Sequence, residues 1–183
     1  MPFSIVRNDI TQMQVDAIVN AANTNLQMGG GVCGEIFKAA GKTSLQAACN
    51  MLAPIKTGEA VITPGFALKA KHIIHTVGPV YHDGKQGERE ILRACYLRSL
   101  ELAVENNCES IAFPLISSGI YRYPKTDALR VATQAIQDYL ADHEMDVYLA
   151  VFDKDALTIS DALYRCLCER RTADCQCAGI FRR

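Results

Sequence analysis

The chain has 183 residues, 49% of them hydrophobic and 21% charged, with a formal net charge of -1. That length and balance suit one globular domain with a full core. Near-neutral charge excludes a global attraction to nucleic acid or an anionic membrane, and no apolar run approaches the roughly 18 residues of a membrane span.

The start Met1-Pro2-Phe3-Ser4 lacks the basic and apolar segments of a secretion signal, which predicts a cytoplasmic protein. Reduced thiols are therefore expected for the eight cysteines. Cys49, Cys95 and Cys108 fall inside apolar patterns, as small hydrophobes do.

In chain order, Ser4 to Val6 is an alternating strand candidate, followed by Arg7-Asn8-Asp9-Ile10. Ala17 to Ala21 is a second, apolar strand. Three glycines (Gly29, Gly30, Gly31) precede a helix from Gly34 to Ala40, stopped by Gly41, and a further helix runs from Ser44 to Leu52 ahead of Pro54. Ala60 to Thr63 and His72 to Val77 read as strands, each closed by Pro or Gly-Pro. Leu92, Tyr96, Leu100, Ala103 and Val104 keep helical spacing within Glu88 to Asn106.

Ser110 to Leu115 is a buried strand. The loop Ile116 to Tyr123 leads through Pro124 into a helix with Leu129, Ala132, Ile136, Tyr139 and Leu140 on one face. Asp146 to Phe152 alternates as a last strand, and a final helix carries Ala156, Ser160, Leu163 and Leu167 to about Arg171. Strands alternating with helices predict an α/β fold whose sheet is covered on both faces. There is no internal repeat. We expect a single domain over 1–171 and a Cys- and Arg-containing tail over 172–183.

In such folds, ligands bind beyond the carboxyl ends of the strands. The stretch Val19 to Ile36 is a strand, a loop with Asn20 and Asn23, three glycines and a helix start. It exposes backbone N–H groups with no side chains in the way, as a phosphate-binding loop requires. Ser117-Ser118-Gly119-Ile120-Tyr121 is a second small-residue loop after a strand, so two donor loops could clamp a diphosphate. Asp9 could accept a hydrogen bond from an exocyclic amine such as that of adenine, and Phe152 offers a face for a base. Each has a plainer alternative: Asp9 capping a turn, Phe152 in the core, Asn20 and Asn23 satisfying loop carbonyls.

Two nucleotide motifs fail on context. Gly29, Gly31 and Gly34 satisfy G-x-G-x-x-G, but Asn23 to Met28 separate them from the strand, and Pro54 stands where an acidic residue is needed. Gly41-Lys42-Thr43 mimics the end of a P-loop, yet Ile36 occupies its first glycine position. No metal is expected. His72 and His75 point to opposite faces of a strand, and the C-x-C pairs Cys166/Cys168 and Cys175/Cys177 are tighter than zinc-ligand spacing.

Asn8-Asp9-Ile10-Thr11, Val15 to Asn23, Gly29-Gly30-Gly31-Val32, His75-Thr76-Val77-Gly78-Pro79 and Ser117 to Tyr121 together resemble the macro domain family, and within it the MacroD-type branch. The resemblance spans roughly Phe3 to Glu169, with the motifs in order. It implies a three-layer α/β/α sandwich with a mixed central sheet that binds ADP-ribose and needs no cofactor. It further implies that Asp9 contacts the adenine amine with Ile10 beside the ring and Phe152 stacked on it. Gly30, Gly31, Val32 and Cys33 would line the distal ribose and diphosphate. Ser117, Ser118, Gly119, Ile120 and Tyr121 would form the second clamp, and Asn23 would act on the distal ribose as the catalytic residue.

Hydrolytic members of that branch remove ADP-ribose from acidic side chains or deacetylate O-acetyl-ADP-ribose. Their Gly-Gly-Gly-Val-Asp-Gly stretch has Cys33 here in place of Asp, and a His typical of the branch is Phe37. A thiol does no general-base work until it becomes a thiolate. The expected activity is ADP-ribosyl ester hydrolysis, with three routes: water positioned by the ligand's own phosphate, Glu35 or His82 as base, or Cys33 as nucleophile. The alternative is a non-catalytic ADP-ribose reader. The expected partners are ADP-ribose, ADP-ribosylated proteins or O-acetyl-ADP-ribose, with no membrane and no nucleic acid.

Overall fold

The computed structural model describes residues 2–152 and Thr158. The helix expected to end near Arg171, Asp153 and the cysteines at 166, 168, 175 and 177 lie outside the described residues.

Two-residue alternation builds the sheet. In β2 (Ala17–Ala21), Ala17 and Val19 enter one hydrophobic cluster while Ile18 enters the other, on the opposite face. β5 (Ser110–Pro114) repeats this, with Ile111 and Phe113 on the first face and Ala112 on the second. With β1 (Phe3–Arg7), β3 (Ala60–Pro64), β4 (His72–Thr76) and β6 (Asp146–Val151), they form a six-stranded sheet in the order β1-β6-β5-β2-β4-β3.

Every neighbouring pair is parallel except β3 with β4. The reason is chain length. Only residues 65–71 join β3 to β4, too few for a parallel crossover, whereas each parallel pair is joined through intervening elements. The mixed sheet agrees with the expectation.

Helices α1 (Gly31–Ala40) and α2 (Lys42–Leu52) cover one face through Ile36, Phe37, Leu45 and Cys49. Helices α3 (Glu88–Glu105) and α4 (Lys125–Leu140) cover the other through Leu92, Tyr96, Leu100, Leu129 and Ile136. Burying each such large side chain contributes about 1.5–3 kcal/mol. At the far edge from the site, Asp16 accepts from the N–H groups of Glu109 and Ser110 and pairs with Lys71 at 2.7 Å, which ties β2, β4 and β5 at their entry points.

Several boundaries shift by a residue or more from the sequence reading, and three of them bear on the site. α1 begins at Gly31 rather than Gly34, because Gly31 takes φ +58° and turns the chain straight into the helix. α2 begins at Lys42, directly after Gly41 at φ +99°. β6 ends at Val151, so Phe152 stands outside the sheet and is 79% exposed, not a core residue.

Candidate functional site

β1, β6, β5 and β2 run parallel, so their carboxyl ends share one edge of the sheet. The loops leaving them build a cleft there.

The first wall follows β2. Asn23 folds its loop back on itself: its Oδ1 accepts from the Gln27 N–H at 3.1 Å, and its Nδ2 donates to the Gln27 carbonyl at 2.8 Å. Gln46 of α2 holds the same loop, accepting from the Met28 N–H and donating to the Leu26 carbonyl. The glycine run then enters α1, whose N-cap Gly30 supplies no side-chain cap. The N–H groups of residues 29–33 have no hydrogen-bond partner among the described residues, as expected of an uncapped helix start. Gly34 is required by close approach, since a Cβ there would lie 2.7 Å from the Gly29 carbonyl oxygen.

The second wall follows β5. Internal bonds from Ser118 to Leu115, Arg122 to Gly119 and Tyr123 to Ser117 shape the loop and leave the N–H groups of Gly119, Ile120 and Tyr121 without partners among the described residues. Ser117 takes φ +63°, an uncommon conformation for a residue with a side chain, and its buried Oγ has no hydrogen-bond partner among the described residues. Its neighbour Ile116 leaves no room for a Cβ on Gly78, whose added carbon would sit 2.6 Å from Ile116 Cγ2.

The walls meet at Ile120. Though 75% exposed, it leans across the cleft until a Cβ on Gly30 would be 3.4 Å from its Cδ1. The cleft has two compartments that share Gly31, Val32, Leu115 and Gly119, and Ile120 lines the inner one. The inner one, about 210 Å³, is lined by Ala21, Ala22, Asn23, Cys33, Gly78 and Ser117 among others, with no charged side chain among the described residues. The outer one, about 670 Å³, is lined by Asp9, Ile10, Glu35, Ser118, Ala150 and Phe152 among others. Among the described residues neither is lined by a lysine or arginine.

The thirteen residues singled out in the sequence therefore all line one continuous cleft. Asp9 has two attachments of its own: its Oδ1 caps the Ile10–Gln12 turn, accepting from Thr11 N–H at 2.9 Å and Thr11 Oγ1 at 2.7 Å. Its Oδ2 has no hydrogen bond among the described residues. The two alternative bases fare differently. Glu35 lines only the outer compartment, where it pairs with Lys38 at 2.6 Å, and His82 lines neither.

Cys33 is buried in the inner wall. Its Sγ lies 3.7 Å from Asn20 Nδ2 and 3.9 Å from the Gln27 carbonyl that Asn23 also holds. Behind it, Asn20 Nδ2 meets His75 Nδ1 at 3.0 Å, and His75 Nε2 meets Thr63 Oγ1 at 3.0 Å. With the amide so oriented, both Asn20 hydrogens find acceptors and only Oδ1 lacks a partner; the flipped amide would leave both hydrogens unpaired. Burial pushes His75 down to about 4, so the ring is neutral at neutral pH, accepting at Nδ1 and donating from Nε2. Burial, with the neighbouring Cys33, holds the Cys49 thiol up at about 11.

The sequence reading missed Gly78 and this buried chain. Their partners come from distant segments, and a histidine inside an apolar strand carries no local sign of an asparagine facing it. Among the described residues no group of His, Cys, Asp and Glu could hold a metal ion, and no helix is long and apolar enough to cross a membrane.

The macro domain family model matches residues 19–132, which contain both walls. A macro domain-containing protein of Mesorhizobium japonicum is 51% identical over 80% of this chain and 84% of its own. A Salmonella typhimurium protein named O-acetyl-ADP-ribose deacetylase is 45% identical over 82% of this chain and 87% of its own. The Trypanosoma brucei macrodomain, solved in complex with ADP-ribose, superposes with a TM-score of 0.82 at 36% identity, covering 88% of this chain and 68% of its own. By sequence and by fold, this chain belongs to the macro domain family.

Proposed function

We propose that this chain binds ADP-ribose in the two-compartment cleft and hydrolyses ADP-ribosyl esters, on acidic side chains or as O-acetyl-ADP-ribose. The observation that carries the binding is the pair of N–H arrays on the two walls, residues 29–33 and 119–121, which have no partners among the described residues. A diphosphate lying under Ile120 satisfies both arrays. The adenosine then occupies the outer compartment, its amine on Asp9 and its ring between Ile10 and Phe152. The distal ribose enters the inner compartment beside Asn23 and Cys33.

The chemistry follows from what the inner compartment contains. Hydrolysis adds water across the ester C–O bond, giving a carboxylic acid and a ribose hydroxyl. Among the described residues no carboxylate or imidazole lines that compartment. In this reading the bound diphosphate positions the water, Asn23 orients the ribose, and backbone donors stabilise the developing charge. Cys33, engaged with Asn20 and Gln27, supports the wall. The resemblance to a protein named O-acetyl-ADP-ribose deacetylase supports the choice of substrate class.

The same thiol favours one other reading, a module that binds ADP-ribose without turning it over. Calorimetry with ADP-ribose, followed by incubation with a mono-ADP-ribosylated acceptor and with O-acetyl-ADP-ribose, separates the two. Binding with release of free ADP-ribose or acetate is the expected result; binding with neither product sinks the hydrolase.

A further inference from the structure

Glu88 opens α3 and is 2% exposed, the only buried carboxylate among the described residues. A buried charge must be compensated. Here the backbone does it: Oε1 accepts from the N–H groups of His82 at 3.2 Å, Asp83 at 3.4 Å and Gly84 at 3.2 Å, and Oε2 accepts from Gln86 at 2.7 Å. The segment before α3 is thus wound around one internal anion, much as a phosphate-binding loop winds around its ligand. Burial alone pushes the carboxyl up, but these N–H donors outweigh it and hold the group down at about 2.

That segment is also the rear support of the second wall. Gly84, at φ +74°, packs on the Tyr81 ring, a Cβ there lying 3.0 Å from the Tyr81 hydroxyl. The Tyr81 N–H donates to the Tyr121 carbonyl at 2.9 Å. The Tyr81 and Tyr123 rings meet at 4.9 Å, and Gly78 abuts Ile116. Donating N–H groups on residues 119–121 are useful to a diphosphate only if their loop is already in place, since ordering it on binding costs affinity.

We propose that Glu88 is a positioning residue for the second wall: its carboxylate gathers residues 82–86, which seat Tyr81 against Tyr121 and so hold the Gly119–Tyr121 donors ready for the diphosphate. This rests on the ADP-ribose reading of the cleft. Glu88 touches no ligand in it.

The test uses the full chain with Glu88→Gln, which keeps the shape and loses the charge, and Glu88→Ala, which empties the nest. Wild-type protein is first titrated with ADP-ribose; absence of binding there overturns the reading of the cleft. With wild-type binding established, both variants are expected to bind ADP-ribose at least threefold more weakly. Amide hydrogen exchange should rise in residues 79–87 and 116–123 while that of β2 and β5 stays at the wild-type level. Formate, a small carboxylate that fits the emptied nest, should restore both affinity and protection in Glu88→Ala and leave Glu88→Gln unchanged. The proposal is overturned by less than threefold weakening, by exchange that rises uniformly through the fold, by formate without effect on Glu88→Ala, or by failure of both variants to fold.

Discussion

Nδ2 of Asn20 stands 3.0 Å from Nδ1 of His75 inside the core, directly behind the wall that Cys33 contributes to the cleft. Burial keeps this histidine neutral, and the pair, with Thr63 on the other nitrogen, leaves both ring nitrogens engaged.

A pH dependence of stability follows. The folded-state value of His75, about 4, lies below its ordinary 6.5, so between those limits the unfolded chain binds a proton that the folded chain refuses. The contribution of neutral His75 is complete above pH 6.5, declines as pH falls through 6.5 to about 4, and is gone below. The full difference is roughly 3 kcal/mol. Urea denaturation of wild type and His75→Gln from pH 7 to pH 4.5 should show the steeper loss in wild type. Parallel profiles would exclude burial as the control on this ring.

Asp9→Ala should weaken ADP-ribose binding by about 1.5–3 kcal/mol, more than tenfold, through loss of a charge-assisted hydrogen bond to the adenine amine. The same change also uncaps the Ile10–Gln12 turn. Calorimetry with ADP-ribose and with its hypoxanthine analogue separates the two losses. The base-specific part should vanish for the analogue, which has no amine; equal weakening for both ligands leaves only the turn.

Affinity for ADP-ribose should depend little on ionic strength. Among the described residues no lysine or arginine lines either compartment, and the diphosphate is assigned to N–H dipoles inside the cleft. Screening acts mainly on exposed ion pairs, so raising sodium chloride from about 50 to about 500 mM should shift Kd by less than about threefold. A tenfold shift would mean that a basic side chain holds the phosphates.

Cys33→Ala should keep ester turnover within about threefold of wild type, and Asn23→Ala should lower it by more than about tenfold. The thiol is placed in the wall as a partner of Asn20 and Gln27, whereas Asn23 is assigned to the ribose. Rates measured on O-acetyl-ADP-ribose decide it. Loss of activity in Cys33→Ala, with fold and binding intact, would restore the thiol as nucleophile.

Gly34→Ala sets two effects against each other. Helix propensity favours alanine by about 1 kcal/mol. The added Cβ, however, meets the Gly29 carbonyl oxygen at 2.7 Å, a backbone atom that moves only with the glycine run. Displacement of that run is expected to win, with ADP-ribose affinity down by more than about tenfold. Calorimetry at matched thermal stability reads the outcome.

Most of the fold was written locally. The two-residue alternation in Ala17–Ala21 and Asp146–Val151, and the helical spacing from Leu92 to Leu100, mark strands and helices because each face must meet either core or solvent. The cleft residues were legible too, since small and polar side chains gathered at several strand ends leave backbone donors exposed along one edge of the sheet. Asp9, Gly30 and Tyr121 all lie where that reading put them, along one cleft.

What the sequence by itself determined about this protein is therefore its kind: an α/β domain with two donor loops at one sheet edge. The tertiary structure alone decided how the cleft is finished. Ile120 reaching Gly30, Asn20 turning its amide to Cys33 and His75, Ser117 seated beside Gly78, and Tyr81 donating to the Tyr121 carbonyl all depend on where separate segments converge. Local propensity speaks only for neighbours along the chain. Hydrogen bonds and close packing between distant segments exist once the sheet order has brought those segments together.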